Sequence, residues 1–184
     1  MSNNLSKKLT PFLVTLFLII TAGMLSCYAE EEYSTAEPGF GIYLVDTGEL
    51  VLSEQHIKAY HRNVHLTVDE EEDTHAIELN KAGIEQWNSF LNYEGIPQLK
   101  DTLFNRDFSF RIEEKEKYRG KFYSMVSSAS YDGVVILDAL FKLDKERNRI
   151  YISFGYPGSD FTSSKDPRNN PEIIDYFNKQ GLLK

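Results

Sequence analysis

Residues 107–122 read Asp-Phe-Ser-Phe-Arg-Ile-Glu-Glu-Lys-Glu-Lys-Tyr-Arg-Gly-Lys-Phe, and this stretch decides the fold class. Its apolar side chains alternate with polar ones on either side of a charged turn, Glu113–Lys117. Alternation with a period of two is typical of strands that bury one face, so the stretch predicts a β-hairpin. The same alternation recurs over Val64–Val68, His75–Leu79 and Ile150–Phe154, which predicts an antiparallel sheet.

Helices are expected at three places between and after these strands. Ser53 is a suitable N-cap for a short helix over Glu54–Tyr60. Asn80 is the expected N-cap of a longer helix with an apolar stripe. Asn170 begins the best-marked helix, because Pro171 follows it at the first helical position.

This order of elements predicts an α+β fold, with an antiparallel sheet and two main helices packed on one face, ferredoxin-like or related. The chain divides into residues 1–29 as a signal peptide, 30–39 as an acidic tether, and 40–184 as a single α+β domain. The length of that last part suits one hydrophobic core.

Four segments resemble the first extracytoplasmic domain of SecD-type preprotein translocase subunits. They are Leu52–Ile57, Ala76–Asn80 with the following Gly83 and Trp87, the hairpin from Asp107 to Met125, and Ser130–Ile136. The resemblance implies a ferredoxin-like domain. We carry over only the fold, because the translocase subunits have several transmembrane helices, whereas no apolar run of that kind follows Leu25 here.

The first residues have the three parts of an export signal. Lys7 and Lys8 supply positive charge, Pro11–Leu25 is an apolar run shorter than a membrane span, and acidic residues begin at Glu30. Because the lysines are expected to stay inside, the rest of the chain is expected on the outer side of the membrane.

Two processing routes fit this signal. Met24–Cys27 resembles the lipobox of bacterial lipoproteins, with Cys27 as the lipid-modified residue. Cleavage after Ala29 would instead release a soluble secreted protein, and an uncleaved anchor is a third route. We favour lipidation, and hence a protein anchored at the outer side of the cell membrane by acyl chains.

Charge and composition exclude several classes of function. The chain of 184 residues has a net charge of -8, and without Lys7 and Lys8 the remainder is near -10. An acidic body repels nucleic acid, so no nucleic-acid partner is expected. The single cysteine excludes an intrachain disulfide framework.

No metal site and no cofactor are predicted. His56, His61, His65 and His75 lie near the acidic run Asp69–Asp73, and imidazoles with carboxylates can bind zinc. Strand alternation, however, places His65 and His75 on opposite faces of the sheet. The acidic run also lacks the spacing of an EF-hand and is interpreted as a solvated turn.

No catalytic residues are predicted either. The serines of Ser127–Ser130 lack the G-x-S-x-G elbow of hydrolases, and no paired carboxylates suggest acid–base chemistry. The favoured hypothesis is therefore a non-enzymatic envelope protein. An envelope hydrolase that uses the loop Asp160–Asn170, or a carrier of a metal or small ligand, is the alternative.

The later strands are rich in aromatic residues, and this suggests a binding surface. Alternation points about half of each strand away from the core, and Tyr123 and Tyr151 are the best candidates for outward aromatics. Exposed aromatic side chains suit contacts with a protein or peptide. We therefore expect a protein or peptide partner at the cell envelope.

Overall fold

The computed structural model describes residues 39–64, 74–137 and 139–184. The strands are β1 (Phe40–Leu44), β2 (Leu50–Ser53), β3 (Ile57–Val64), β4 (Thr74–Leu79), β5 (Asp107–Ile112), β6 (Lys115–Phe122), β7 (Tyr131–Ile136) and β8 (Arg149–Tyr156). The α-helices of the described residues are α1 (Lys81–Ser89) and α2 (Pro171–Lys179). Short 3-10 turns occupy Glu54–His56, Leu99–Asp101 and Ser159–Phe161.

All eight strands form one mixed sheet in the order β2-β1-β5-β6-β7-β8-β4-β3. Six of the neighbouring pairs are antiparallel, and β6 with β7 is parallel. The parallel pair is joined by the segment 123–130, which returns the chain from the end of β6 to the start of β7. This segment is called the crossover loop below.

The sheet is curled into a half-barrel because its two edge strands are consecutive in the chain. Only Glu54–His56 separates the end of β2 at Ser53 from the start of β3 at Ile57. A flat sheet of eight strands would hold its edges about 34 Å apart. Three connecting residues reach no further than about 14 Å, so the edges must approach each other.

The start of α1 holds this closing turn in place. The backbone N–H of Asn80 donates to the carbonyl of His56 at 3.0 Å. Its side-chain Nδ2 donates to the carbonyl of Gln55 at 2.7 Å. Gly83 packs so closely on the turn that a Cβ there would lie 2.0 Å from the carbonyl oxygen of His56. A residue without a side chain is therefore required at this contact.

The main core fills the concave side of the half-barrel. Phe110 lies near its middle, with its ring 5.0 Å from that of Phe40 and stacked 4.6 Å from that of Tyr118. From α2, the ring of Phe177 stacks on Tyr60 with centroids 4.3 Å apart and planes at 4°. These contacts join strands of both flanks to α2, and they account for the burial of the alternating apolar residues.

Both edges of the sheet are covered. At β3, Tyr60 donates its N–H to the carbonyl of Leu182 at 2.8 Å, and Lys184 donates its N–H to the carbonyl of Tyr60 at 2.9 Å. At β2, Gln86 Nε2 donates to the carbonyl of Leu50 at 3.1 Å. Covered edges protect a sheet from pairing with another chain.

The predicted fold class is wrong. The structure has a mixed half-barrel sheet, whereas the sequence predicted an antiparallel, ferredoxin-like sheet with two helices on one face. The parallel pairing of β6 with β7 and the closing turn cause the difference. Local alternation reveals neither of them, because it shows which residues share a face of a strand but not which strands pair or in which direction.

The short helix predicted over Glu54–Tyr60 is wrong as well. Only Glu54–His56 is helical, as a 3-10 turn, and β3 begins at Ile57. The carboxylate of Glu54 does not act within a helix but accepts the backbone N–H groups of Gly39 and Phe40, at 2.9 and 3.0 Å. Pairing of Ile57 with Leu79 outweighs the weak helical pattern of this segment.

Three local predictions are confirmed. The stretch 107–122 forms the hairpin of β5 and β6, in which Phe110 pairs with Tyr118. Asn80 caps α1 by accepting the N–H of Gly83 at 3.0 Å, and Asn170 caps α2 by accepting that of Glu172 at 2.9 Å.

The signal peptide, Cys27 and nearly all of the acidic tether lie outside the described residues, as does the acidic run.

Candidate binding surface

A second, smaller apolar cluster lies apart from the main core, on the convex side of β7 and β8. Val135 belongs to it, whereas its neighbours Val134 and Ile136 belong to the main core, as strand alternation requires. The members of this outer cluster are Tyr123, Val135 and Leu137, with Phe104, Tyr131, Tyr151 and Tyr156 packed against them. Four of its seven side chains are tyrosines, so this face combines apolar rings with polar ends.

The crossover loop lies against one half of the outer cluster. The hydroxyl of Tyr123 donates to the carbonyl of Ala129 at 2.7 Å. The hydroxyl of Tyr156 donates to the carbonyl of Met125 at 2.7 Å. These bonds explain why Tyr123 is only 5% exposed although it lies outside the main core. They also leave Met125 and Val126 projecting into solvent at the tip of the loop.

The other half of the outer cluster is open to a groove. Tyr151, which is half-buried, lines a groove of about 650 Å³ together with seven residues of the segment 141–149. Its lining residues are Phe141, Lys142, Leu143, Glu146, Arg147, Asn148, Arg149 and Tyr151. Of the two aromatics predicted as outward, the structure therefore places Tyr123 under the crossover loop and Tyr151 in an open groove.

The apolar rim of the groove, Phe141–Leu143, is held rigidly by α1 and the residues after it. Trp87 Nε1 donates to the carbonyl of Phe141 at 3.1 Å. The side chain of Asn88 makes two hydrogen bonds to the backbone of Leu143: it accepts the N–H and donates to the carbonyl, both at 2.8 Å. The hydroxyl of Tyr93 accepts the N–H of Lys142 at 3.1 Å. A rim fixed in this way needs little ordering when a ligand binds.

One wall of the groove adjoins a compact ionic cluster on β3, β4 and β8. Glu78 accepts hydrogen bonds from Lys58 at 2.6 Å and from His61 and Arg149 at 3.1 Å each. The bond from Lys58 is the main reason that the pKa of Glu78 falls to about 2, with burial opposing it and the other two bonds adding to it. Three basic groups thus surround one carboxylate.

Positive charge is concentrated at the groove. Lys142, Arg147 and Arg149 line it, against the single carboxylate of Glu146. Arg147 also pairs with Asp144 at 2.9 Å, an ion pair that lowers the pKa of Asp144 chiefly through the hydrogen bond from Arg147. In a chain of net charge -8, this local excess of cations is a distinct feature of the surface.

A separate polar group lies in the interior, and sequence reasoning did not find it. Arg168 is 3% exposed and donates to both carboxylate oxygens of Asp166 and to the carbonyl of Ile152. Nearby, the hydroxyl of Tyr60 is 2.6 Å from Nδ1 of His75. Burial opposes ionisation of Asp166, but the hydrogen bonds from Arg168 outweigh it and lower the pKa.

The histidines are distributed over different environments. His56 Nδ1 accepts the N–H of Ser53 at 3.0 Å in the closing turn, and burial lowers its pKa. His61 lies on the outer face beside Glu78, and His75 is fully buried. His65 is outside the described residues. In the described ranges, no three His, Cys, Asp or Glu side chains converge as metal ligands.

The loop Asp160–Asn170 anchors the chain between β8 and α2. Asp132 accepts both the N–H and the hydroxyl of Ser163, at 3.2 and 2.6 Å. Asp166 and Asn169 contribute to a surface cavity of about 420 Å³ at this loop. No sequence signal pointed to the buried Arg168, because nothing in the spacing of the charged residues in this polar loop indicated burial.

Among residues 39–64, 74–137 and 139–184, no helix has the length and hydropathy needed to cross a membrane. No protein-family model, curated protein or solved structure matches the chain. The resemblance to SecD-type subunits therefore remains a sequence-based prediction, and the ferredoxin-like sheet that it implied is not the observed fold.

Proposed function

We propose that this protein is an exported, lipid-anchored, non-enzymatic protein of the cell envelope that binds a protein or peptide partner. The observation that carries the proposal is the outer cluster with its groove, an aromatic surface outside the main core. Aromatic side chains with polar ends are enriched where proteins bind one another. The signal-like N-terminus and Cys27 support the location and the anchor.

The interior polar group argues against the hydrolase alternative. That alternative requires a carboxylate beside a histidine in a cleft, and Asp166 does line a cavity. His75, however, is 0% exposed and its Nδ1 is bonded to Tyr60, so it faces the core rather than a substrate. The carboxylate of Asp166 is paired with the buried Arg168, as in a structural ion pair rather than a catalytic one.

Intact-mass measurement of the membrane fraction tests the anchor. Acylation predicts a chain that begins at Cys27 and carries lipid, and Cys27→Ala should abolish it. Recovery of an unmodified chain that begins at Glu30 would instead show ordinary cleavage and a secreted protein.

Photo-crosslinking in intact cells tests the binding surface. A photoreactive phenylalanine analogue at Phe141, which is 43% exposed, should give one discrete protein adduct. The same analogue at Lys81, whose side chain is 91% exposed on α1, is the control and should give none. Absence of an adduct at Phe141, or the same adduct at both sites, would contradict a partner at this groove.

A further inference from the structure

We propose that the groove binds an acidic, extended segment of the partner, which places one aromatic or aliphatic side chain on Tyr151 and pairs its carboxylates with Arg147 and Arg149. This proposal rests on the proposed function and adds the chemistry of the partner to it. It follows from three features of the groove: its apolar lining, its charge and its rigidity.

The apolar lining provides the anchor position. Phe141 and Tyr151 offer aromatic surface to the groove, and Leu143, which is largely buried, also lines it. The volume of about 650 Å³ lies within the range typical of ligand sites and accommodates a large side chain together with neighbouring backbone. Burial of one such side chain supplies the hydrophobic part of the affinity.

The charge of the groove selects a carboxylate-bearing ligand. Arg147 donates from Nη2 to Asp144, and Arg149 donates from Nη2 to Glu78. A guanidinium has five N–H donors, so both arginines retain donors for a second carboxylate. The side chain of Arg147 is 74% exposed and that of Arg149 is 43% exposed, which keeps these donors accessible.

The charge of the whole chain favours a peptide over other anionic partners. Nucleic acid and anionic lipid surfaces extend far beyond the groove and would meet the acidic remainder of a chain with net charge -8. A short acidic segment places its charge only where the cations lie. The rim Phe141–Leu143 is already fixed by α1, so little conformational freedom is lost on binding.

Binding of synthetic peptides to the purified full chain tests the proposal. The probe is a fluorescein-labelled peptide with four glutamates on each side of one phenylalanine, measured by fluorescence anisotropy at low and high salt. Peptides with lysines in place of the glutamates, or alanine in place of the phenylalanine, are the ligand controls. We expect binding of the first peptide alone, weakened by salt.

Variants locate the binding. Arg147→Glu should weaken the affinity at least about tenfold, because one charge-assisted pair becomes a repulsion. Tyr151→Ala should have a similar effect through loss of the anchor contact. Lys145→Glu makes the same charge change beside the groove, where Lys145 is 88% exposed but not part of the lining, and should leave the affinity within about twofold. Near-UV circular dichroism verifies the fold of each variant.

Each outcome decides the proposal. Equal binding of the acidic and basic peptides, equal effects of Arg147→Glu and Lys145→Glu, or no binding would overturn it. Failure of the acidic peptide while the adduct at Phe141 persists would reject the acidic chemistry and keep the partner surface. Absence of both the peptide binding and the adduct at Phe141 would reject the proposed function as well.

Discussion

The ring of Tyr118 stacks on that of Phe110, with centroids 4.6 Å apart and planes at 18°. This contact fixes the hydroxyl of Tyr118 in the core, where it has no hydrogen-bond partner among the described residues. Burial of the phenol raises its pKa well above the usual value. The core therefore contains a polar group whose desolvation is not compensated by a bond.

Removal of this hydroxyl should not harm the protein. We expect Tyr118→Phe to leave the free energy of unfolding unchanged or to raise it by about 1 kcal/mol, since the ring contacts remain. Tyr60→Phe is the matched control, because Tyr60 is bonded to His75, and it should destabilise by about 1–3 kcal/mol. Urea unfolding measures both variants, and a clear loss of stability in Tyr118→Phe would contradict the interpretation.

Acidification should destabilise the fold in part through the ionic cluster at Glu78. The folded-state pKa of about 2 lies below the ordinary value of 4.5, so the ionised carboxylate stabilises the fold above pH 4.5. That stabilisation is lost as the pH falls from about 4.5 toward 2. Glu78→Gln should accordingly show a smaller loss of stability over this interval than the natural chain does.

Chemical denaturation at a series of pH values between 6 and 2 measures this difference. Glu94→Gln, at an exposed position, controls for the change in net charge. Parallel pH profiles for Glu78→Gln and the natural chain would show that the cluster contributes nothing to acid sensitivity.

Gly83 offers a test of the closing turn. Replacement of a helical glycine by alanine usually stabilises a helix by about 1 kcal/mol. Here the new Cβ would lie 2.0 Å from the carbonyl oxygen of His56, so we expect a net loss of about 1–3 kcal/mol. Lys81→Ala, in the same helix at an exposed site, should change stability by less than about 0.5 kcal/mol. A stabilised Gly83→Ala would show that α1 does not press on the turn.

Deletion of Leu182–Lys184 tests the covering of the β3 edge. The deletion removes backbone bonds to Tyr60 and Arg62 and should cost about 1–3 kcal/mol. It also exposes a strand edge, so the variant should associate at high concentration, as sedimentation velocity would detect. Leu183→Ala removes a side chain but no backbone group, and should lose stability without associating. A truncated chain that stays monomeric would contradict the protective role.

Local chemistry made part of this structure predictable. Asn80 and Asn170 identified the two helix starts because side-chain caps act over three residues. The hairpin 107–122 was predictable because its turn and its two alternating strands are contiguous. The segment Glu54–Tyr60 was not, since its conformation is decided by pairing with β4.

The candidate site was predictable only in outline. Alternation indicated that Tyr151 points away from the core. It could not indicate that the crossover loop covers Tyr123, because that depends on the parallel pairing of β6 with β7. The cations of the groove come from a turn and the start of β8, and only the register of β8 against β4 brings Arg149 to Glu78.

The strand order also constrains the order of folding. The last four strands, β5 to β8, form the middle of the sheet, and the first four flank them on both sides. Phe40 pairs with Ile112 and His75 with Ile152, so the strands on both flanks pair with strands that come much later in the chain. Such distant pairing slows folding. During synthesis the N-terminal part of the chain is made first. The β1–β2 and β3–β4 hairpins therefore remain without their neighbours in the sheet until β5 and β8 have been made, and the half-barrel closes only near the end of synthesis.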